Sequence, residues 1–217
     1  AQLMVTIGNR SGRRTIAVIS DMNQTLGNAV GNVLELAEAL DTLRGTGPPD
    51  FRSHCLLLAG HMLRLAGKTE SAEAGQRLAE KALADGSALQ KFRALVVAQG
   101  GDGVYVDKPK KLSAATITQA VKAKDDGFLA RMDAINIGKA AAMLGAGREQ
   151  KNEHIDLDVG IVVHQKVGAR IHVGDPLFTI HANNYKNIKA AREEALAGIK
   201  IKTEKVSELP LHHGVVE

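Results

Sequence analysis

The segment Asp21-Met22-Asn23-Gln24-Thr25-Leu26-Gly27 follows a short β-branched run and precedes a helical pattern. In open α/β sheets ligands gather at the carboxyl ends of strands, so a site is expected at such a turn. The plainer alternative is a well-capped turn in which Asp21 satisfies backbone donors. Gly27 and Gly31 permit close backbone approach, but their spacing is not a dinucleotide fingerprint, and no Gly-Lys-Ser/Thr phosphate loop is present. Glu38 stands inside the helical pattern that follows. Its carboxylate either faces solvent or meets carbonyl oxygens of the preceding loop around a hard cation, and spacing leaves both open. His164, His172 and His181 alternate through a strand-rich region, and His212-His213 lies near the end. None forms a helical i, i+4 pair with a carboxylate between, so they read as surface or packing histidines. Gly145-Ala146-Gly147-Arg148 falls at a helix C-terminus, where the macrodipole disfavours anions, and reads as a cap. Cys55, in a leucine-rich helix without a neighbouring cation, is expected in the core rather than as a nucleophile. No Ser nucleophile elbow and no carboxylate pair stands out, so residue types alone give no catalytic constellation.

Composition narrows the class. The 28 Lys and Arg against 24 Asp and Glu leave only +4, with 3% aromatic residues and no Trp. Nucleic-acid binders cluster base and stacking aromatics, and here the basic residues are dispersed. Lys108 to Lys111 and Lys200 to Lys202 are short runs that read as solvated surface. A single cysteine excludes an intrachain disulfide framework and fits a reducing compartment. No apolar run approaches the ~20 residues of a membrane span, so a cytoplasmic protein is expected. The chain opens Ala1-Gln2-Leu3-Met4-Val5, without an initiator Met and directly in a helix-like pattern, as a piece of something longer would.

The elements that must position these residues follow from periodicity. Residues 1–9 read as the end of a helix closed by Gly8, and 14–20 as a buried strand of a parallel sheet. Val30, Val33, Leu34, Ala37, Leu40 and Leu43 recur at helical spacing, with Gly45 as the stop. Asp50 and Thr69 are expected caps of two further helices, and Ser87-Ala88-Leu89-Gln90 is a capping box for a third. A polar connector runs from Gly101 to Lys111. Beyond it, Gly127 to Met132 reads as a strand and Asp133 as the cap of a helix that Gly145 stops. Residues 158–181 read as hairpins with a turn at Gly174-Asp175-Pro176. Asn183-Asn184 is expected to start a last helix to Ala197, and Ile199 to Thr203 a closing strand. The fold class is therefore α/β: part of a mixed-sheet domain with helices over residues 1–104, then a C-terminal α+β domain over 105–217.

Val18-Ile19-Ser20-Asp21-Met22-Asn23-Gln24, Leu26-Gly27-Asn28-Ala29-Val30-Gly31-Asn32 and Leu34-Glu35 resemble the signature of the thymidine and pyrimidine-nucleoside phosphorylases. The likeness continues through Gly45 to Pro48, Ala98 to Asp102, Ile135 to Arg148, Ile155 to Gly160, Lys166 to Gly168 and Val173 to Leu177. It covers nearly the whole chain. One departure is Thr25, where the family carries Pro; this is expected to loosen the turn. The resemblance implies a longer enzyme in which phosphate cleaves thymidine, uridine or deoxyuridine to free base and (deoxy)ribose 1-phosphate. It also implies a homodimer and a potassium ion held by main-chain oxygens of Leu26 and Ala29 and the carboxylate of Glu38. The family's phosphate loop, Lys-His-Ser-Thr-Gly-Gly, does not occur in these 217 residues, nor do its base-holding motifs. The expectation is thus a C-terminal portion of a phosphorylase, with no catalytic residue of its own, an incomplete K⁺ site and no turnover in isolation. A non-catalytic module of the same fold, or part of a nucleoside monophosphate phosphorylase, are the alternatives. Lys166 to Leu177 also looks like half of a biotinyl/lipoyl carrier barrel. The hairpin that would present a modified lysine is missing, which argues against a swinging arm.

Overall fold

The computed structural model describes residues 1–148 and 151–217, in which eight α-helices and nine strands are present. The chain divides into two compact units.

Unit one comprises Ala1–Asp21, Leu40–Val106 and Pro210–Glu217. Helix α1 (Gln2–Arg10) runs through Gly8 instead of ending there, and the chain turns at Ser11 and Gly12. The amide of Thr15 donates to Asn9 Oδ1 at 2.9 Å, which folds the chain back after the helix. Strand β1 (Ala17–Ser20) is not a member of a parallel sheet. It pairs antiparallel with β9 (His212–Val216), Ala17 opposite Val216. A β-branched run specifies an extended backbone but not its partner, and the residues of β9 lack the alternation that would have revealed them.

Helices α3 (Pro49–Leu65), α4 (Ala72–Ala84) and α5 (Ser87–Ala98) fill most of this unit. Their starts differ from the expected caps for local reasons. Pro48 and Pro49 open α3, because proline has no N–H to leave unsatisfied in a first turn. Ser71, not Thr69, caps α4: its Oγ accepts the Ala74 amide at 3.1 Å, while the Thr69 hydroxyl donates to the Ser71 carbonyl. Gly86 is the cap of α5, and the Ser87 hydroxyl turns back to the Ala82 carbonyl. Helices α3 and α4 meet at glycines. A Cβ on Gly60 would stand 2.4 Å from the Ala72 carbonyl oxygen, and one on Gly75 would stand 2.5 Å from that of Gly60. Arg64 forms a forked pair with the Glu217 carboxylate. Cys55 is exposed on α3, not in the core, because the chain places it on the outer side of a helix whose leucines are themselves only partly covered.

Unit two comprises Met22–Ala39 and Asp107–Leu209. Its four-stranded sheet has the order β2 (Ala29–Val30), β5 (Gly160–Val163), β7 (Pro176–Ala182), β3 (Ile117–Lys122). A three-stranded sheet has the order β6 (Arg170–Ile171), β4 (Gly127–Met132), β8 (Ile199–Lys202), and every pairing is antiparallel. Helix α2 (Asn32–Leu43) contributes residues 32–39 to this unit, and α7 (Ala134–Ala141) and α8 (Ile188–Ala197) pack together. Leu129, Met132, Ile137, Ile161, Phe178 and Ile180 form its buried core. Asp133 caps α7 as expected, accepting the Ile135 amide at 2.9 Å. The turn before β7 is closed by Asp175, whose Oδ2 accepts the His172 amide. Helix α8 begins later than Asn183-Asn184, because both asparagines are engaged elsewhere. Asn184 accepts the Lys186 amide in a local turn, and Asn183 bonds the Thr116 amide and the Asp156 carboxylate. The segment 101–111 is not a bare connector: it carries α6 (Val104–Asp107) and a 3₁₀ turn at Pro109–Lys111. The picture is an α/β chain whose second part is an antiparallel α+β domain.

Among the described residues no helix is long and apolar enough to cross a membrane.

Candidate functional site

The loop from Gln24 to Ala29 is held by groups of both charges. From α2, Glu38 directs its carboxylate under the loop, where Oε2 accepts the amides of Asn28 at 2.8 Å and Ala29 at 3.0 Å. The other oxygen, Oε1, lies so close to Gly27 that a Cβ there would approach it to 2.1 Å, and Gly27 has φ +66°. Glycine thus serves twice at this position, for a left-handed backbone and for the room the carboxylate occupies. Ala29 then enters the sheet opposite Val162, and the Asn28 carbonyl accepts the Val163 amide at 2.8 Å.

From the other side comes Lys166, between β5 and β6. Its ammonium donates to the Thr25 carbonyl at 2.7 Å and to the Gly27 carbonyl. The neighbouring Val167 amide donates to Gln24 Oε1 at 3.0 Å, and the Asn23 carbonyl accepts the Ala134 amide. Thr25 does not loosen the turn. It is buried, and its hydroxyl donates to the Gly27 carbonyl at 3.3 Å, a bond that proline could not make.

The three residues expected around a cation therefore share one neighbourhood. Glu38 bonds Ala29 directly and abuts Gly27, and Leu26 lies between the two residues whose carbonyls Lys166 gathers. Here Glu38 accepts loop amides while the Thr25 and Gly27 carbonyls accept from Lys166. A hard cation takes carboxylate and main-chain oxygens as its donor set. No cluster of three or more His, Cys, Asp or Glu able to hold a metal exists among the described residues, so a cation here would depend on main-chain oxygens.

Gln24 and Thr25 lay in the segment expected to carry a site, Gln24 within the family likeness and Thr25 as a departure from it, but neither had an expected role. Lys166 was touched only by the Lys166-Val167-Gly168 run of that likeness. Asp21, by contrast, lies in unit one, where its side chain is 6% exposed, with His213 Nε2 at 3.5 Å and its own amide on the Leu211 carbonyl. Lys166 is engaged with carbonyls and does not stand on an exposed hairpin, as a carrier lysine must.

Two histidines beside each other, His164 just past β5 and His181 in β7, carry a pH consequence. The His164 Nε2 and Thr179 Oγ1 are 2.7 Å apart. Burial holds the His164 imidazole below its usual pKa. Burial, and then the charge of His164, does the same for His181. A histidine whose folded pKa is depressed binds its proton better when unfolded. Its stabilisation is present above about pH 6.5 and is lost as pH falls below that value. Urea unfolding at pH 7.5 and 5.5 is expected to show a weaker fold at the lower pH, with the difference reduced in a His164→Asn/His181→Gln variant. An unchanged difference would rule these imidazoles out as its cause.

The Cys55 thiol is pushed up by partial burial, which disfavours the thiolate and agrees with its reading as non-nucleophilic.

Residues 1–89 match the family described as "Glycosyl transferase family, a/b domain". Residues 128–202 match "Pyrimidine nucleoside phosphorylase C-terminal domain". Together they define a glycosyltransferase-type α/β chain joined to a phosphorylase α+β domain. The Pyrimidine-nucleoside phosphorylase of Geobacillus stearothermophilus is 47% identical over 201 residues, 93% of this chain and 46% of that protein. That of Staphylococcus aureus (strain MSSA476) is 42% identical over 217 residues, 100% of this chain and 50% of that protein. The chain belongs to the pyrimidine-nucleoside phosphorylase family. It spans about half the length of the curated relatives it matches.

Proposed function

We propose that this chain is a portion of a phosphorylase that uses phosphate to cleave thymidine, uridine or deoxyuridine into free base and (deoxy)ribose 1-phosphate. The observation that carries the reading is the loop 24–29. It lies within the family likeness, and Glu38 supports the reading by accepting the Asn28 and Ala29 amides and abutting Gly27 on either side of the loop's turn. In this reading Leu26 and Ala29 main-chain oxygens and the Glu38 carboxylate hold a potassium ion, which when bound supplies fixed positive charge beside an anionic substrate. The chain's own part is to keep that oxygen set in place through the Glu38–amide and Lys166–carbonyl bonds. Phosphorolysis depends on positioning phosphate and on stabilising an oxocarbenium-like transition state. These 217 residues contain no Lys-His-Ser-Thr-Gly-Gly phosphate loop, so the isolated chain is expected to be inactive. The active form would be a homodimer of a longer chain.

A phosphorolysis assay with thymidine and uridine, in phosphate and K⁺, tests this. No base release by the 217-residue chain, and release once a segment carrying the phosphate loop is supplied, is the expected pair of results. Turnover by the 217 residues alone would place the phosphate site within them and overturn the inactivity. No turnover after the segment is supplied would count against the phosphorylase reading itself.

A further inference from the structure

Lys166 is the second charged side chain on the loop beside Glu38, and the donor set Leu26, Ala29 and Glu38 does not include it. An ammonium has three donors and no acceptor, so it can satisfy only acceptor atoms. At this position it satisfies the Thr25 and Gly27 carbonyls, which flank Leu26 on either side. A monovalent ion gathers main-chain oxygens in the same way, with like charge and no directional demand. The backbone just after the lysine is tied to the same loop by the Val167 amide on Gln24 Oε1. On the amide side, Glu38 gathers Asn28 and Ala29. The loop is clamped between a carboxylate that takes its N–H groups and an ammonium that takes its carbonyls. Both clamps are charge-assisted bonds, roughly twice as strong as neutral ones.

We propose that Lys166 is the positioning residue of this loop: a covalently attached monovalent cation that gathers the Thr25 and Gly27 carbonyls and thereby fixes the backbone of Leu26. What the loop is fixed for, an added cation at Leu26, Ala29 and Glu38, rests on the function proposed above. The anchoring stands on the Lys166 contacts themselves.

The test is amide hydrogen exchange on the 217-residue chain with Lys166→Ala. Exchange at Asn28, Val163 and Val167 is expected to quicken by about tenfold or more, the scale of one charge-assisted bond, while Phe178 and Ile180 exchange as in the native chain. Added ethylammonium should restore protection, and tetramethylammonium, which has no N–H, should not. Unchanged exchange in the variant, or equal restoration by both ions, overturns the assignment. If Phe178 and Ile180 also lose protection, the native chain decides by ¹⁵N-lysine NMR. A slowly exchanging Lys166 Nζ signal coupled to the Thr25 and Gly27 carbonyl carbons supports the assignment, and a solvent-averaged signal overturns it. None of these readouts depends on phosphorolysis or K⁺ binding, so failure of the phosphorylase reading and failure of this assignment are distinguishable.

Discussion

Replacing Glu38 with Ala is expected to release the Gln24–Ala29 loop while leaving the core of unit two in place. The substitution removes the acceptor of two backbone amides, at Asn28 and Ala29. Hydrogen bonds to a charged group contribute about 1.5–3 kcal/mol each, so the two together reach about 3–6 kcal/mol, and relaxation toward water brings the local loss to the lower end, about 3 kcal/mol. At about 1.4 kcal/mol per tenfold, exchange at these two amides should accelerate on the order of 100-fold. Glu38→Gln keeps an acceptor oxygen without the charge and should fall between the native chain and the Ala variant. The distinguishing readout is where the change occurs. Asn28 and Ala29 should respond strongly, and Phe178 and Ile180, in the buried core, hardly at all. Native-like exchange at Asn28 in Glu38→Ala would show that the carboxylate does not hold the loop. In a longer chain that turns over nucleosides, the same variant is expected to need more K⁺ for half-maximal activity.

The second large effect belongs to unit one. Gly60→Val is expected to force α3 and α4 apart, since the first added carbon would meet the Ala72 carbonyl oxygen at 2.4 Å. That neighbour is backbone and cannot swing aside as a flexible side chain could. Overpacking of a well-fitted contact costs about 1–3 kcal/mol, and a β-branched residue against a rigid carbonyl belongs at the upper end. Amides along α3 and α4 should lose roughly two orders of magnitude of protection. Gly60→Ala should show a smaller loss in the same amides. If Gly60→Val preserves the protection of both helices, the close approach at Gly60 and Gly75 is not what sets their packing.

The sequence was most legible where one residue settles an element by itself. Asp133 caps α7 through its own carboxylate, and Asp175 closes the turn before β7, as their positions imply. It was least legible where a polar side chain had a choice of partners. Ser71 and Thr69 both suit a helix start, and only the geometry of Ser71 reaches Ala74. Asn183 and Asn184 suit one as well, but distant Thr116 and Asp156 claim the first and a local turn the second. Strand β3 was not read at all, because only Val121 among its six residues is buried and the alternation that marks a strand is faint. In the candidate site, the segment with Leu26 was marked by its place after a strand and Glu38 was raised with both readings open, but the set Leu26, Ala29 and Glu38 came only from family likeness. Lys166 was illegible because its partners are carbonyls some 140 positions away, and every residue type has a carbonyl.

The pairing of β1 with β9 also sets an order of events during synthesis. Ala17 waits for Val216, and Arg64 for Glu217, so unit one cannot finish until residues 212–217 have been made. The long segment 107–209 of unit two is complete before that. Contacts between positions so distant in sequence form slowly, and an unpaired strand offers open N–H and C=O groups to any neighbouring chain meanwhile. Chains ending before residue 212 should therefore aggregate more readily than chains that include residues 212–217.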